Sequence, residues 1–369
     1  MRAAPSPFDL DMMRIALRMA ARGLGNTAPN PAVGAVIANE TTGEVIARGW
    51  TQPGGRPHAE TEAIRRAGGR ARGATLYVTL EPCAHFGKTP PCADAIVAAG
   101  TARVVVGTGD PDPRTAGQGI AKLRAAGVAV TENVLEPEAR WLTLGHILRV
   151  TQNRPFVMLK IATDADGSIA PGDGTAPHWV TGPEARAAGH KLRAEADAIL
   201  VGAGTLRADD PELICRLPGL ANRSPVRVVL AGRAALDPSA KLFATATQVP
   251  VLIVRAGAAR PSDHDLATAG ADVLELPPVR ESLDHVPAVL EMLAARGITR
   301  LLVEGGPKVW RSFADAGLVD EVALFMAGPP DVHKAAFALQ HHLGRLILQT
   351  TDCRPVGCDT MWRLRPASA

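Results

Sequence analysis

His58, Glu60, Cys83 and Cys92 are the residues of this chain whose types and order carry chemistry. They stand in His58-Ala59-Glu60, in Glu81-Pro82-Cys83, and in a second cysteine separated from the first by eight residues. A neutral imidazole and two thiolates fill three corners of a tetrahedral zinc site. The fourth corner stays open for water, whose pKa zinc lowers to about 7. Glu60 is then not a ligand. Its carboxylate suits a shuttle that takes a proton from the water and hands it to a departing amino group. The chemistry is hydrolytic removal of an amino group from a heteroaromatic ring. The plainer reading is a set of core residues without metal; a buried free cysteine is common, but four matched positions in order are not.

The general pattern of zinc deaminases is Pro-Cys-x-x-Cys. Here Ala84 to Pro91 are inserted between the cysteines, a loop placed to shape a pocket beside the metal. The surrounding elements must hold these groups. Ser6-Pro7-Phe8-Asp9 reads as a helix start, with apolar Met12, Met13, Ala16, Leu17 and Ala20 at helical spacing and Gly23 as its end. Ala32–Ile37 and Glu44–Ala47 read as antiparallel strands, His58–Ala67 as a helix and Ala74–Thr79 as a strand running into Glu81-Pro82-Cys83. Cys92–Ala99 reads as a helix ended by Gly100. Both ligand sets therefore sit near helix N-termini, where the dipole favours thiolate. Arg103–Val106 is a strand, Gly119–Ala126 a helix, Val128–Val130 a short strand, and Leu135–Arg149 a single connecting helix.

With 369 residues, two domains are expected. Residues 1–150 are read as the first and 151–369 as the second, with Arg154-Pro155 marking the change because proline disfavours helix before it. Aromatics are 4%, leaving few side chains to stack on bases. Net charge is +3 and the basic residues are scattered, so nothing marks a nucleic-acid partner. No apolar run is long enough to span a membrane. Cys215, Cys353 and Cys358 read as ordinary thiols, and with no signal peptide visible a reducing cytoplasm is expected.

The second half alternates strands and helices: Phe156–Ala162, helix Pro183–Ala194, Ala198–Val201, Val226–Leu230, Val251–Val254, a helix Pro287–Arg296 with Pro287 first, Leu301–Val303, helix Lys308–Ala316, Val322–Phe325 and Thr360–Leu364. Glu304-Gly305-Gly306 turns a strand into a helix, where glycines let backbone N–H groups approach a phosphate; Gly202-Ala203-Gly204-Thr205 is a second such turn. Neither is the dinucleotide fingerprint of a Rossmann unit, and each also serves as plain structure. Arg193 and Arg216 can supply bidentate contacts to a phosphate, or stand as solvated surface residues.

Thr27 to Gly34, Pro57 to Glu60, Thr79 to His85, Gly87 to Cys92 and Asp110 to Pro113 resemble the bifunctional deaminase–reductase family of riboflavin biosynthesis, and the resemblance continues through Asp166-Gly167, Leu192-Arg193-Ala194, Asp209-Asp210-Pro211 and Val303 to Gly306. It implies an α/β protein: a cytidine-deaminase-like three-layer α/β/α domain followed by a dihydrofolate-reductase-like α/β domain. It implies zinc-dependent deamination of 2,5-diamino-6-ribosylamino-4(3H)-pyrimidinone 5′-phosphate, then NADPH-dependent reduction of the ribosyl group to ribityl. His58, Cys83 and Cys92 would hold zinc, Glu60 would move the proton, and Asn30 would contact the first substrate. Thr163, Trp179, Thr205, Asp209, Glu304, Gly305 and Gly306 fall on cofactor positions; Pro177, Arg193, Leu213 and Arg216 fall on substrate positions. A homo-oligomer acting on a small phosphorylated pyrimidine is implied.

The second domain departs from that pattern at Asp164-Ala165, at Pro177 where a serine is usual, at Ile214 and Ala231, and after Phe325. An alternative is therefore a deaminase whose reductase-like domain is kept for structure or binding. A nucleic-acid-editing deaminase would need a basic groove and stacking aromatics. A non-catalytic zinc module has no use for Glu60.

Overall fold

The computed structural model describes residues 4–170, 179–258, 260, 263–276 and 285–367. The chain divides into two compact units, Met1–Arg154 and Pro155–Ala369.

The first unit is built on β1 (Gly34–Asn39), β2 (Glu44–Trp50), β3 (Thr75–Leu80), β4 (Arg103–Thr108) and β5 (Ala129–Thr131). Their order is β2-β1-β3-β4-β5, with β2, β1 and β3 antiparallel to their neighbours and β3, β4 and β5 parallel. Side chains alternate across a strand, so each strand feeds two cores. Ala35, Ile37, Leu76, Val78, Val104 and Val106 pack against Ala59, Ala63, Ala93, Ile96 and Leu123 on one face. Val36, Ala38, Tyr77 and Val105 pack against Met12, Met13 and Ala16 on the other. The result is three layers, helix–sheet–helix. The helix Pro7–Ala21 opens with a capping box, in which Ser6 Oγ accepts from Asp9 N–H and Asp9 accepts from Ser6 N–H.

The single helix expected over Leu135–Arg149 is two, Glu136–Leu142 and Leu144–Gln152. They meet at Thr143, whose backbone leaves the helical region (φ −92°, ψ 6°) and whose hydroxyl donates to Ala139 O at 2.9 Å beside its own N–H.

The second unit holds β6 (Phe156–Thr163), β7 (Ala198–Gly202), β8 (Val226–Gly232), β9 (Val251–Ala256), β10 (Ala271–Leu276), β11 (Arg300–Val303), β12 (Glu321–Met326), β13 (Leu348–Val356) and β14 (Asp359–Pro366). They form one sheet, β10-β9-β8-β7-β11-β6-β12-β14-β13, parallel from β10 to β12 and antiparallel at β14 and β13. The central strands are apolar runs buried on both faces, as parallel strands under helices must be. β10 and β13 were not among the expected strands. The helix expected over Pro287–Arg296 is described over His285–Ala295, so Pro287 is not its first residue. The expected turn Gly202–Thr205 is a direct junction, with β7 ending at Gly202 and a helix running Ala203–Asp209. β6, β7 and β11 end side by side, which gathers the residues that follow them at one sheet edge.

Candidate active sites

In the first unit, His58 is the N-cap of the helix Ala59–Ala67, which puts Glu60 in its first turn. β2 lies close against that turn: a Cβ at Gly49 would meet Ala59 O at 2.3 Å, so the position takes only glycine. Cys92 opens the helix Cys92–Ala99 with Pro91 as N-cap, and Cys83 follows the end of β3. His58 Nδ1 lies 3.3 Å from Cys92 Sγ and 3.7 Å from Cys83 Sγ, and the three donor atoms fall within 4.8 Å of one another. Tetrahedral zinc bonds place nitrogen and sulfur about 3.6 Å apart, so the donor set and its spacing fit zinc. The Cys92 N–H also donates to Cys83 Sγ at 3.3 Å. Hydrogen bonding from Cys92 and His58 pulls the Cys83 thiol down to about 4, against burial. Its bond to Cys83, with burial, pushes Cys92 up. Burial pushes Glu60 up to about 7 while His58 pulls the other way. Among the described residues this is the one cluster with metal-ligand spacing.

Asn30 packs on the turn that leads into His58. Its Nδ2 donates to Gly55 O at 2.8 Å. The inserted loop is tied by Arg56, which donates to Thr89 Oγ1 at 2.6 Å, and by His85 Nδ1, 3.3 Å from Thr115 Oγ1. Glu81 has a structural role that motif reading missed. Its buried carboxylate accepts from Gly117 N–H at 3.1 Å and Ile120 N–H at 3.2 Å, fixing the loop after β4 beside Cys83. The available signal was a carboxylate between an apolar strand and a Pro-Cys pair.

In the second unit a cavity of about 510 Å³ opens at the sheet edge, and Trp179, Arg193, Thr205, Asp209, Arg216, Glu304 and Gly306 all line it. Arg193 grips Glu304 with two hydrogen bonds of 2.8 Å each and gives Nη1 to Ile214 O. Three of its five N–H donors are thus committed within the chain. Burial raises Glu304, but the Arg193 guanidinium outweighs it and holds the carboxyl at about 2. Arg216 pairs with Glu212 at 2.9 Å. Thr205 Oγ1 accepts from Gly306 N–H, which caps the helix Pro307–Asp315. Gly305 packs under Val309, leaving 3.0 Å for a Cβ. Burial raises the pKa of Asp209. Leu213 is buried with φ +55°, a conformation leucine rarely takes. Trp179 is 60% exposed, with Arg186 stacked at 4.9 Å. Pro177 lies outside the described residues.

Lys160 also lines the cavity and was missed; burial lowers its pKa and Glu304 draws it back up. Its signal was one lysine inside the apolar run Phe156–Thr163. Trp310, which lines the cavity, has its Nε1 buried without a partner; Thr163 Oγ1 is also buried without one, but it lies on the face of β6 opposite Lys160 and Ala162. The Gly305-Gly306 turn, at the N-terminus of the helix Pro307–Asp315, suits a phosphate of a nucleotide cofactor.

The two units define a zinc deaminase joined to a reductase. Residues 7–108 match the family described as cytidine and deoxycytidylate deaminase zinc-binding region, and residues 155–329 match the RibD C-terminal domain. The chain is 40% identical over 320 residues to the riboflavin biosynthesis protein RibD of Aquifex aeolicus, covering 87% of each. It is similar to the solved structure of Acinetobacter baumannii RibD, with a TM-score of 0.82, 33% identity, and 98% and 99% of the two chains covered. A diaminohydroxyphosphoribosylaminopyrimidine deaminase/5-amino-6-(5-phosphoribosylamino)uracil reductase from Thermotoga maritima gives a TM-score of 0.79 at 34% identity, with the same coverage. The chain belongs to the RibD family, the bifunctional deaminases and reductases of riboflavin biosynthesis. Its fold is cytidine-deaminase-like, then dihydrofolate-reductase-like, and its cofactors are zinc and NADPH. Among the described residues no helix is long and apolar enough to cross a membrane.

Proposed function

We propose that residues 1–154 deaminate a diaminopyrimidinone ribosylamine 5′-phosphate and residues 155–369 reduce the product's ribosyl group to ribityl. The observation that carries the first assignment is the His58–Cys83–Cys92 donor set with Glu60 in the adjoining helix turn. His58, Cys83 and Cys92 hold zinc, which when bound supplies an acidified water. Glu60, buried in the helix turn beside that donor set, moves the proton to the departing ammonia. Asn30 steadies the turn entering the site and faces the substrate. The insertion between the cysteines, tied by Arg56–Thr89 and His85–Thr115, shapes the pocket.

In the second unit Trp179, Thr205, Asp209, Gly305, Gly306 and Thr163 hold NADPH, which when bound supplies a hydride. Arg193, held by Glu304, forms the substrate wall with Arg216, and Leu213 lies next to Ile214, whose carbonyl Arg193 holds. Lys160 brings the cavity's desolvated positive charge toward the substrate. We propose a homo-oligomer in the cytoplasm with no nucleic-acid partner. β13 supports assembly: it ends the sheet, and Gln349–Pro355 are exposed throughout, the form of a strand edge that pairs.

The test is one purified protein given the diaminopyrimidinone substrate and NADPH. Ammonia release followed by equimolar NADPH oxidation is expected. Ammonia without NADPH oxidation would contradict the second assignment, and light scattering that gives a monomer would contradict the assembly.

A further inference from the structure

The helix Pro183–Ala194 forms one wall of the reductase cavity, presenting Arg186, His190 and Arg193 to it at three- and four-residue spacing. Its last turn is fixed by the Arg193–Glu304 pair. Its first turn has no cap of its own, because the N-cap residue is Gly182, which offers no side chain. The acceptor comes from 177 positions away: Asp359 Oδ2 takes the Gly182 N–H at 2.6 Å. Asp359 opens β14 and is 6% exposed. A carboxylate there satisfies an orphan donor and also meets the positive end of a 12-residue helix. The hairpin turn that carries Asp359 lies directly on this first turn. At Gly357, with φ +65°, a Cβ would meet Glu184 Oε2 at 2.6 Å.

The chain entering the helix is the cavity rim. Arg186 donates to Thr181 O at 2.7 Å and stacks on Trp179, and Trp179, Thr181 and Arg186 all line the cavity. Where Gly182 sits therefore determines where that group sits.

We propose that Asp359 is a positioning residue for the reductase site: by capping the Pro183–Ala194 helix from the far end of the chain, it sets the place of Trp179 and Arg186 against cofactor and substrate. The inference rests on reading this cavity as the reductase site.

The experiment compares the full-length parent with Asp359→Ala and with Asp359→Asn, which keeps an acceptor oxygen. The readouts are NADPH oxidation with the deaminated substrate, NADPH binding by cofactor fluorescence, and ammonia release. In Asp359→Ala the KM for the deaminated substrate and the Kd for NADPH should each rise about tenfold, with kcat within about threefold, as expected for lost positioning. Asp359→Asn should stay within about threefold of the parent, and ammonia release should be unchanged in both. KM and Kd unchanged in Asp359→Ala, whatever its melting temperature, overturns the proposal. If that variant does not fold, Asp359→Glu decides: it keeps the charge and displaces it, so KM should rise, and a parental KM overturns the proposal. A parent that binds no NADPH and oxidises none would instead remove the reading of the cavity.

Discussion

The two units solve the placement of charged groups in opposite ways. In the first, His58, Glu60, Cys83 and Cys92 come from two helix N-termini and one strand end, and the reactive groups face one another with few partners other than themselves. In the second, charge is paired off. Arg193 with Glu304, and Arg216 with Glu212, form the walls, and the helix that carries Arg193 is pinned at both ends by residues more than a hundred positions away. The first site stands or falls by single atoms, whereas the second depends on a frame. A substitution in the first should abolish chemistry and spare the fold; one in the second should loosen both together.

The largest effect that would sharpen this contrast is Glu60→Gln. Deamination should fall by about 10³-fold while zinc content and melting temperature stay near parental, read by ammonia release and metal analysis. Retained turnover would remove Glu60 from its role. Cys83→Ala should lose bound zinc without unfolding the second unit, measured by metal content beside NADPH oxidation.

Glu304→Gln should act differently. It leaves Arg193 buried without its counter-charge, a change that costs about 3–5 kcal/mol, so reductase activity and the second unit's unfolding midpoint should drop together. Loss of activity with an unchanged midpoint would break the comparison. pH gives a milder version of the same test. Glu304 is held at about 2 in the fold, below its unfolded value of about 4.3. Its contribution is complete above the unfolded value and is lost as pH falls through the folded one, so acid titration of Glu304→Gln should show a smaller stability loss than the parent between pH of about 4.3 and 2. The smallest expected effect is Arg56→Ala. It frees Thr89 in an exposed loop, so stability should change by less than about 0.5 kcal/mol while the KM for the first substrate rises.

Much of the scaffold was legible because its signals are local. The helices Cys92–Ala99 and Pro183–Ala194 run over the expected residues. The unbroken apolar runs in β1, β3 and β4 mark strands buried on both faces, and their side chains fill the two cores. What sequence reading missed has several physical causes. Glu81 and Asp359 act through backbone N–H groups 36 and 177 positions away, and a backbone donor has no residue type to recognise. β13 was missed because Gln349-Thr350-Thr351-Asp352-Cys353-Arg354 is polar on both faces and lacks the alternation of a half-buried strand. Thr143 reads as one residue of a helical run, and its departure from helical dihedrals has no residue-type signal.

The division of labour between the units is tested most directly by NADPH oxidation in Glu60→Gln. Supplied with the already deaminated pyrimidine ribosylamine phosphate, the variant should oxidise NADPH at the parental rate; supplied with the diamino compound, it should oxidise almost none. Loss of oxidation with both compounds would contradict two separately built sites, and parental oxidation with both would contradict the assignment of Glu60 to the first.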